Sequence, residues 1–151
     1  MLRSILIGIV AGQRAMTPLA LVAGAARRGT LPDDAPALLR HPAVTAGAVA
    51  LAAAEMAGDK MPSAPNRTIL PGLLARGLTA AFAGAALAPK EQRRTAAALA
   101  IATAVATSYL GLALRLRAMR QYGQTATGFV EDALLVGGGL AIVGGGTAKH
   151  P

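Results

Sequence analysis

The chain has 151 residues and no cysteine, which excludes a large multidomain enzyme and any disulfide or thiolate-metal framework. Thirty-seven alanines and 18 glycines fill 55 positions, and 15% of residues are charged, against about 25% in a typical soluble domain; with a mean hydropathy of +0.49, the composition lacks the polar surface that water demands and points to lipid. The net charge of +8 fits an anionic membrane or a nucleic acid, and position separates the two. Arg27, Arg28, Arg40, Lys90, Arg93, Arg94, Arg115, Arg117 and Arg120 punctuate the gaps between apolar runs, and aromatic residues for base stacking are nearly absent. Membrane lipid is the expected partner; nucleic acid is not.

A hydrocarbon core about 30 Å thick requires roughly 20 apolar helical residues, and five segments approach that length. The first, residues 2–26, carries Arg14 at its middle and Pro18 four residues later. Proline has no N–H and clashes with the carbonyl four residues back, here that of Arg14, so a broken or kinked helix is predicted between Arg14 and Pro18. Gln13, Arg14 and Thr17 then offer polar groups at membrane depth, which is tolerated only where protein covers the backbone or water fills a cavity. A cleaved secretory signal is the alternative reading of MLRSILIGIVAG, but Arg14 interrupts the apolar stretch such a signal needs.

Residues 27–42 form the next connection, where Asp33 and Asp34 before Pro36 suit a turn at the membrane interface. The second apolar segment is 43–58, followed by a proline-rich connection over 61–71 that includes Pro62 and resists a regular helix. The third is 72–88. The fourth, 95–114, is the clearest span, with no ionised side chain and basic residues on both sides. The fifth, 127–145, contains Gly137, Gly138 and Gly139. Together these predict an all-α, polytopic membrane helix bundle of about four to five transmembrane or re-entrant segments, forming a single transmembrane domain over residues 1–151. Helices built on Ala gain little from lipid, so they must pack closely, within one chain or between copies of a homodimer. Gly8 and Gly12 supply one GxxxG match for such an approach.

The positive-inside rule gives an orientation only for one topology. If all five segments cross, the basic residues divide six against seven; if the first is re-entrant, they divide eight to five. The second case orients the chain weakly, whereas the first allows insertion both ways and an antiparallel dimer.

Acidic residues carry the most information. Asp33, Asp34 and Glu91 lie in loops, whereas Glu55, Asp59, Glu131 and Asp132 sit at or inside apolar segments. An ionised group at the centre of a lipid-facing helix costs about 2.5–3.5 kcal/mol on insertion scales, so such groups turn inward, pair, or face water. Glu55 and Asp59 are four apart and share a face if the helix continues, which suits a shared proton, a cation or an arginine; if the helix ends near Gly58, Asp59 and Lys60 belong to a solvated turn. Arg76 either snorkels to the interface or pairs with Glu55 or Asp59. Arg14 cannot reach either surface and calls for a buried carboxylate or a bound anion. Glu131 and Asp132 enter the last segment, where a helix N-terminus also favours carboxylates.

Several catalytic schemes lack their parts. The only histidines are His41, beside Pro42, and His150, so histidine catalysis or a histidine metal site is not expected. No phosphate-loop or H-E-x-x-H motif occurs, and the glycines of LLVGGGLAIVGGG follow no strand. A carboxylate site for Mg²⁺ is chemically open, but two carboxylates do not define one. The chain is read as a non-enzyme without cofactor or metal.

The ordered segments AGQRAMTPLA, EMAGDKMPSAPNR and TGFVEDALLV resemble those of small bacterial integral membrane proteins grouped as domain of unknown function family 4126. The likeness extends from Gly12 to about Val143 and falls on Gly12, Arg14, Pro18, Glu55, Asp59, Lys60, Pro62, Arg67, Glu131 and Asp132. It implies an all-helical membrane protein and supplies no activity.

From the residues, the expected function is a compact multi-pass transporter or channel-like protein of the inner (plasma) membrane. A broken helix exposing half-helix ends near the midplane is how transporters hold ligands. Its polar site is drawn from Arg14, Thr17, Glu55, Asp59, Lys60, Arg67, Arg76, Glu131 and Asp132, with Gly12, Pro18 and Pro62 shaping the backbone, for a small solute, anions included, or a coupling ion. The rival is a non-transporting membrane scaffold or lipid-binding protein whose intramembrane charges are salt bridges fixing helix register. An intramembrane enzyme acting on lipids, with Glu or Asp as acid or base, ranks third.

Overall fold

The computed structural model describes residues 1–58 and 69–145; Asp59, Lys60, Pro62 and Arg67, all candidates above, lie outside the described residues. Among the described residues six α-helices follow one another: α1 (Leu2–Gln13), α2 (Thr17–Arg27), α3 (Pro42–Gly58), α4 (Leu70–Ala86), α5 (Arg93–Tyr122) and α6 (Gln124–Gly144). Short 3-10 turns at Ala37–Arg40 and Lys90–Gln92 lie in two connections, and there is no strand among the described residues.

The first apolar segment is two helices. Arg14 takes an extended conformation, φ −139° and ψ 118°, and Pro18 sits in the first turn of α2, where its missing N–H costs nothing. At 12 residues, α1 is about 18 Å long, too short for a core of about 30 Å.

Contacts fix the direction of each helix. Arg3 Nε and Nη2 donate to the carbonyls of Ile142 and Val143, both at 2.9 Å, near the end of α6, while Arg14 reaches Asp132; α1 and α6 are antiparallel. Leu21 of α2 then returns to Gly139, so the chain doubles back and α1–α2 form a helical hairpin with its apex at Arg14–Met16. The first apolar segment thus folds back on itself instead of running on as one helix. Helix α5 runs parallel to α1, with Gly8 against Ala100 and Gly12 against Ala104 and Ser108. Helix α4 opposes both, since Ser4 Oγ donates to the Gly84 carbonyl at 3.1 Å and Gly84 lies on Ala96 and Ala100. The bundle therefore has a basal end, with Met1, both 3-10 turns and Gly145, and a distal end where α5 meets α6.

Close approach holds the centre together. A Cβ at Gly8 would stand 2.6 Å from the Ala100 carbonyl oxygen, and one at Gly12 2.6 Å from that of Ala104, so the GxxxG pair serves packing within the chain. Ser108 Oγ donates to the Gly12 carbonyl at 3.0 Å across the same contact. Of the three consecutive glycines of α6, only Gly139 has a neighbour at its Cβ position, Leu21. A second cluster, Ile7, Val10, Leu21, Val22, Leu31, Leu39, Leu87 and Val143, fills the basal half. There the loop over 27–42 folds under the hairpin, tied to α5 by the Arg93–Asp34 ion pair at 3.1 Å.

The fourth segment is longer than its apolar run. Helix α5 has 30 residues and spans about 45 Å, so Arg115, Arg117 and Arg120 lie on it rather than beyond it. Both α5 and α6 are long and apolar enough to cross a membrane. They join at Gly123, whose φ of +80° is a conformation that L side chains rarely adopt.

Candidate functional site

The hairpin apex gathers the charges. From Gly144 back to Asp132 is 12 residues of α6, about 18 Å, so the break lies deep in the bundle. An extended residue there leaves backbone amides without helical partners. The Glu55 carboxylate of α3 takes two of them, accepting from Ala15 N–H at 2.7 Å on Oε1 and Met16 N–H at 2.8 Å on Oε2. Glu55, one of two carboxylates offered as an alternative partner for Arg76, instead caps the start of α2 from a neighbouring helix, where the helix dipole favours it.

Arg14 is 1% exposed and finds the buried carboxylate its position demands. Nε and Nη2 donate to Asp132 Oδ1 at 2.9 and 2.7 Å. One residue earlier on α6, Glu131 Oε2 accepts from Arg115 Nη1 at 3.2 Å. Helix α6 begins at Gln124, so Glu131 and Asp132 stand in its third turn, beyond the reach of the terminal dipole. Their partners are arginines, a correction to the helix-start reading.

Arg76 is buried on α4. Ala80 clusters with Ala11, Ala100 and Ala104, so one further turn toward the start of α4 puts Arg76 at the level of the apex. Gln13 Nε2 donates to the Thr107 carbonyl at 2.6 Å, and the buried Thr17 hydroxyl has no hydrogen-bond partner. Among the described residues, three guanidiniums (Arg14, Arg76, Arg115) and three carboxylates (Glu55, Glu131, Asp132) share one zone of the bundle, balanced in charge. No group of three or more His, Cys, Asp or Glu among the described residues could hold a metal ion.

The zone has a sealed side and an open one. Between α1, α5 and α6 runs a groove of about 770 Å³, walled by residues such as Ile9, Leu110, Leu114, Val130 and Leu134, with Gln13, Arg115 and Glu131 also on its lining. Arg14, Glu55 and Asp132 do not line it. Arg115 is the residue that sequence reasoning missed, read there as flanking charge. A signal existed: Arg115 and Glu131 each stand eight positions from Gly123, so folding α5 and α6 as a hairpin about that glycine brings them opposite each other.

No family model, no curated protein and no solved structure matches the chain. The likeness to the unknown-function membrane family rests on its three motifs alone.

Proposed function

We propose that the chain is a multi-pass inner-membrane protein that transports a small anionic solute past the hairpin apex, the arrangement described being its closed state. The membrane part of this reading is supported by exposure: the most apolar stretches of α5 and α6 are only 17% and 22% buried. The core helix of a water-soluble protein of the same composition would be mostly covered. Among the described residues the basic side chains agree, since Arg3, Arg27, Arg28, Arg40, Lys90, Arg93 and Arg94 lie toward the basal end and Arg117 and Arg120 toward the distal end, in line with the eight-to-five division of the sequence. The basal end is then cytoplasmic.

The observation that carries the transport reading is the helix broken at depth, with its amides held by Glu55 and its arginine by Asp132. Both are ionic contacts that a solute anion or a proton can replace, and half-helix ends of this kind are where transporters bind. One observation favours the scaffold instead: Arg14 is sealed and already satisfied by Asp132. Flux of inorganic phosphate and of acetate into liposomes separates the two. Transport requires flux that Arg14→Lys and Glu55→Gln abolish while the protein stays folded; a scaffold gives no flux above empty liposomes, or flux that neither variant alters.

A further inference from the structure

Two carboxylates at the apex are held in different ways. Asp132 is locked to the Arg14 guanidinium, whereas Glu55 rests, among the described residues, on neutral donors alone, the amides of Ala15 and Met16. The helix that carries Glu55 is loosely held. Of the 17 residues of α3 only Ala48 and Ala52 are buried, and the helix packs on α2 and on the 3-10 turn at Ala37–Arg40. The other ionised groups on these elements are remote or engaged. Arg27, Arg40 and His41 stand at the basal end, and Glu55 is 13 residues beyond Pro42, about 20 Å along α3. Arg14 is on Asp132, Arg76 of α4 and Glu131 of α6 share the level of the apex, and Asp59 and Lys60 follow α3 outside the described residues.

Glu55 occupies a place shaped for a carboxylate. Each of its oxygens takes one of two successive amides, at 2.7 and 2.8 Å, at a helix start where anions are favoured. Thr17, the next residue and the first of α2, is 3% exposed, and its hydroxyl has no hydrogen-bond partner among the described residues. A buried hydroxyl left unpaired is costly, and a carboxylate oxygen that already accepts one amide can accept a second donor. Charge decides how an outside ligand enters. The apex zone holds as many guanidiniums as carboxylates, so an anion added alone would be an unpaired charge in a buried site. An anion that replaces Glu55 while Glu55 takes up a proton leaves the balance unchanged.

We propose that the start of α2 binds the carboxylate of a small monocarboxylic acid in exchange for Glu55, which takes up one proton from water and withdraws with α3. The inference rests on the apex being the solute site of the transport reading above. The hydrogen bonds from Ala15 and Met16 to Glu55 break, the same amides and the Thr17 hydroxyl donate to the incoming carboxylate, and Glu55 leaves as a neutral acid. One anion and one proton therefore enter together. The Arg14–Asp132 pair is not touched by the exchange and keeps the hairpin in place.

Calorimetric titration of the micelle-bound protein with sodium acetate, repeated in two buffers of different ionisation heat, reads binding and proton uptake together. At neutral pH about one proton should be taken up per acetate, and the affinity should weaken about tenfold for each unit rise in pH while Glu55 is ionised in the free protein. Glu55→Gln has no proton to take up, so it should bind acetate without uptake and with an affinity independent of pH. Thr17→Val removes a hydroxyl that is unpaired before the ligand arrives; it should weaken acetate about tenfold and leave the ligand-free protein no less stable to heat. Sodium sulfate, a tetrahedral dianion, should bind more weakly than acetate. No acetate binding, acetate bound without proton uptake, uptake that persists in Glu55→Gln, or no preference over sulfate overturns the proposal. Phosphate flux into liposomes tests the transport reading separately. Flux that both apex variants abolish, together with any of those results, sinks only the carboxylate exchange, whereas proton-linked acetate binding without flux of either anion sinks transport and leaves the exchange.

Discussion

Two arginine–carboxylate pairs occupy consecutive residues of α6 and differ in almost everything except chemistry. Arg14–Asp132 joins the hairpin apex to α6 at 2.7 Å with side chains 1% and 11% exposed, and Arg115–Glu131 joins α5 to α6 at 3.2 Å with 8% and 17% exposed. The inner pair is out of reach of any ligand unless the hairpin moves. The outer pair lies on an open groove. A buried pair gains little over an apolar replacement but is costly to break by halves, because the survivor is left charged in a medium that cannot solvate it. The inner contact thus pins the α1–α2 hairpin at one depth, while the outer one leaves its residues accessible from outside.

Substitutions sharpen that contrast. Arg14→Ala is expected to cost about 3–5 kcal/mol in denaturant unfolding of the micelle-bound protein, by stranding Asp132. The exchange Arg14→Asp with Asp132→Arg should recover much of the loss; no recovery would mean that the guanidinium has other essential partners. Gly12→Val forces a branched side chain against the Ala104 carbonyl and should cost about 1–3 kcal/mol, whereas Gly137→Ala, whose Cβ position is open, should stay within about 0.5 kcal/mol. Glu55→Gln keeps the shape and removes the charge, at a cost of about 1–2 kcal/mol. Arg115→Gln keeps a hydrogen-bond donor beside Glu131 on the groove and should cost about 1–3 kcal/mol, less than Arg14→Ala; a loss equal to that of Arg14→Ala would erase the distinction between the pairs.

Much of this was legible where one residue's chemistry forbids alternatives. Pro18 four residues after Arg14 dictates the break, and Arg14 within an apolar segment calls for a carboxylate or a bound anion. Neither says which carboxylate. Asp132 and Glu55 are 118 and 39 positions or more from their partners in the apex, and only the packing of α6 against the hairpin and of α3 against α2 brings them there. The capping role of Glu55 was hidden because its partners are backbone amides, which carry no side-chain signature. Glycine misled in a different way: GxxxG in α1 and GGG in α6 look alike as small faces, yet the first is packed at both positions and the second at Gly139 alone. Small residues permit an approach without choosing a partner.

In the membrane protein proposed above, the hairpin enters from the basal side, turns at Arg14–Met16 and leaves by the same side. Because the chain has no cysteine, single substitutions Leu2→Cys, Ala15→Cys, Arg28→Cys and Arg120→Cys in sealed vesicles can each be probed with a membrane-impermeant thiol reagent. Positions 2 and 28 should label from one side, position 120 from the other, and position 15 from neither until the protein is unfolded. Labelling of 2 and 28 from opposite sides, or ready labelling of 15 in the folded protein, would contradict it.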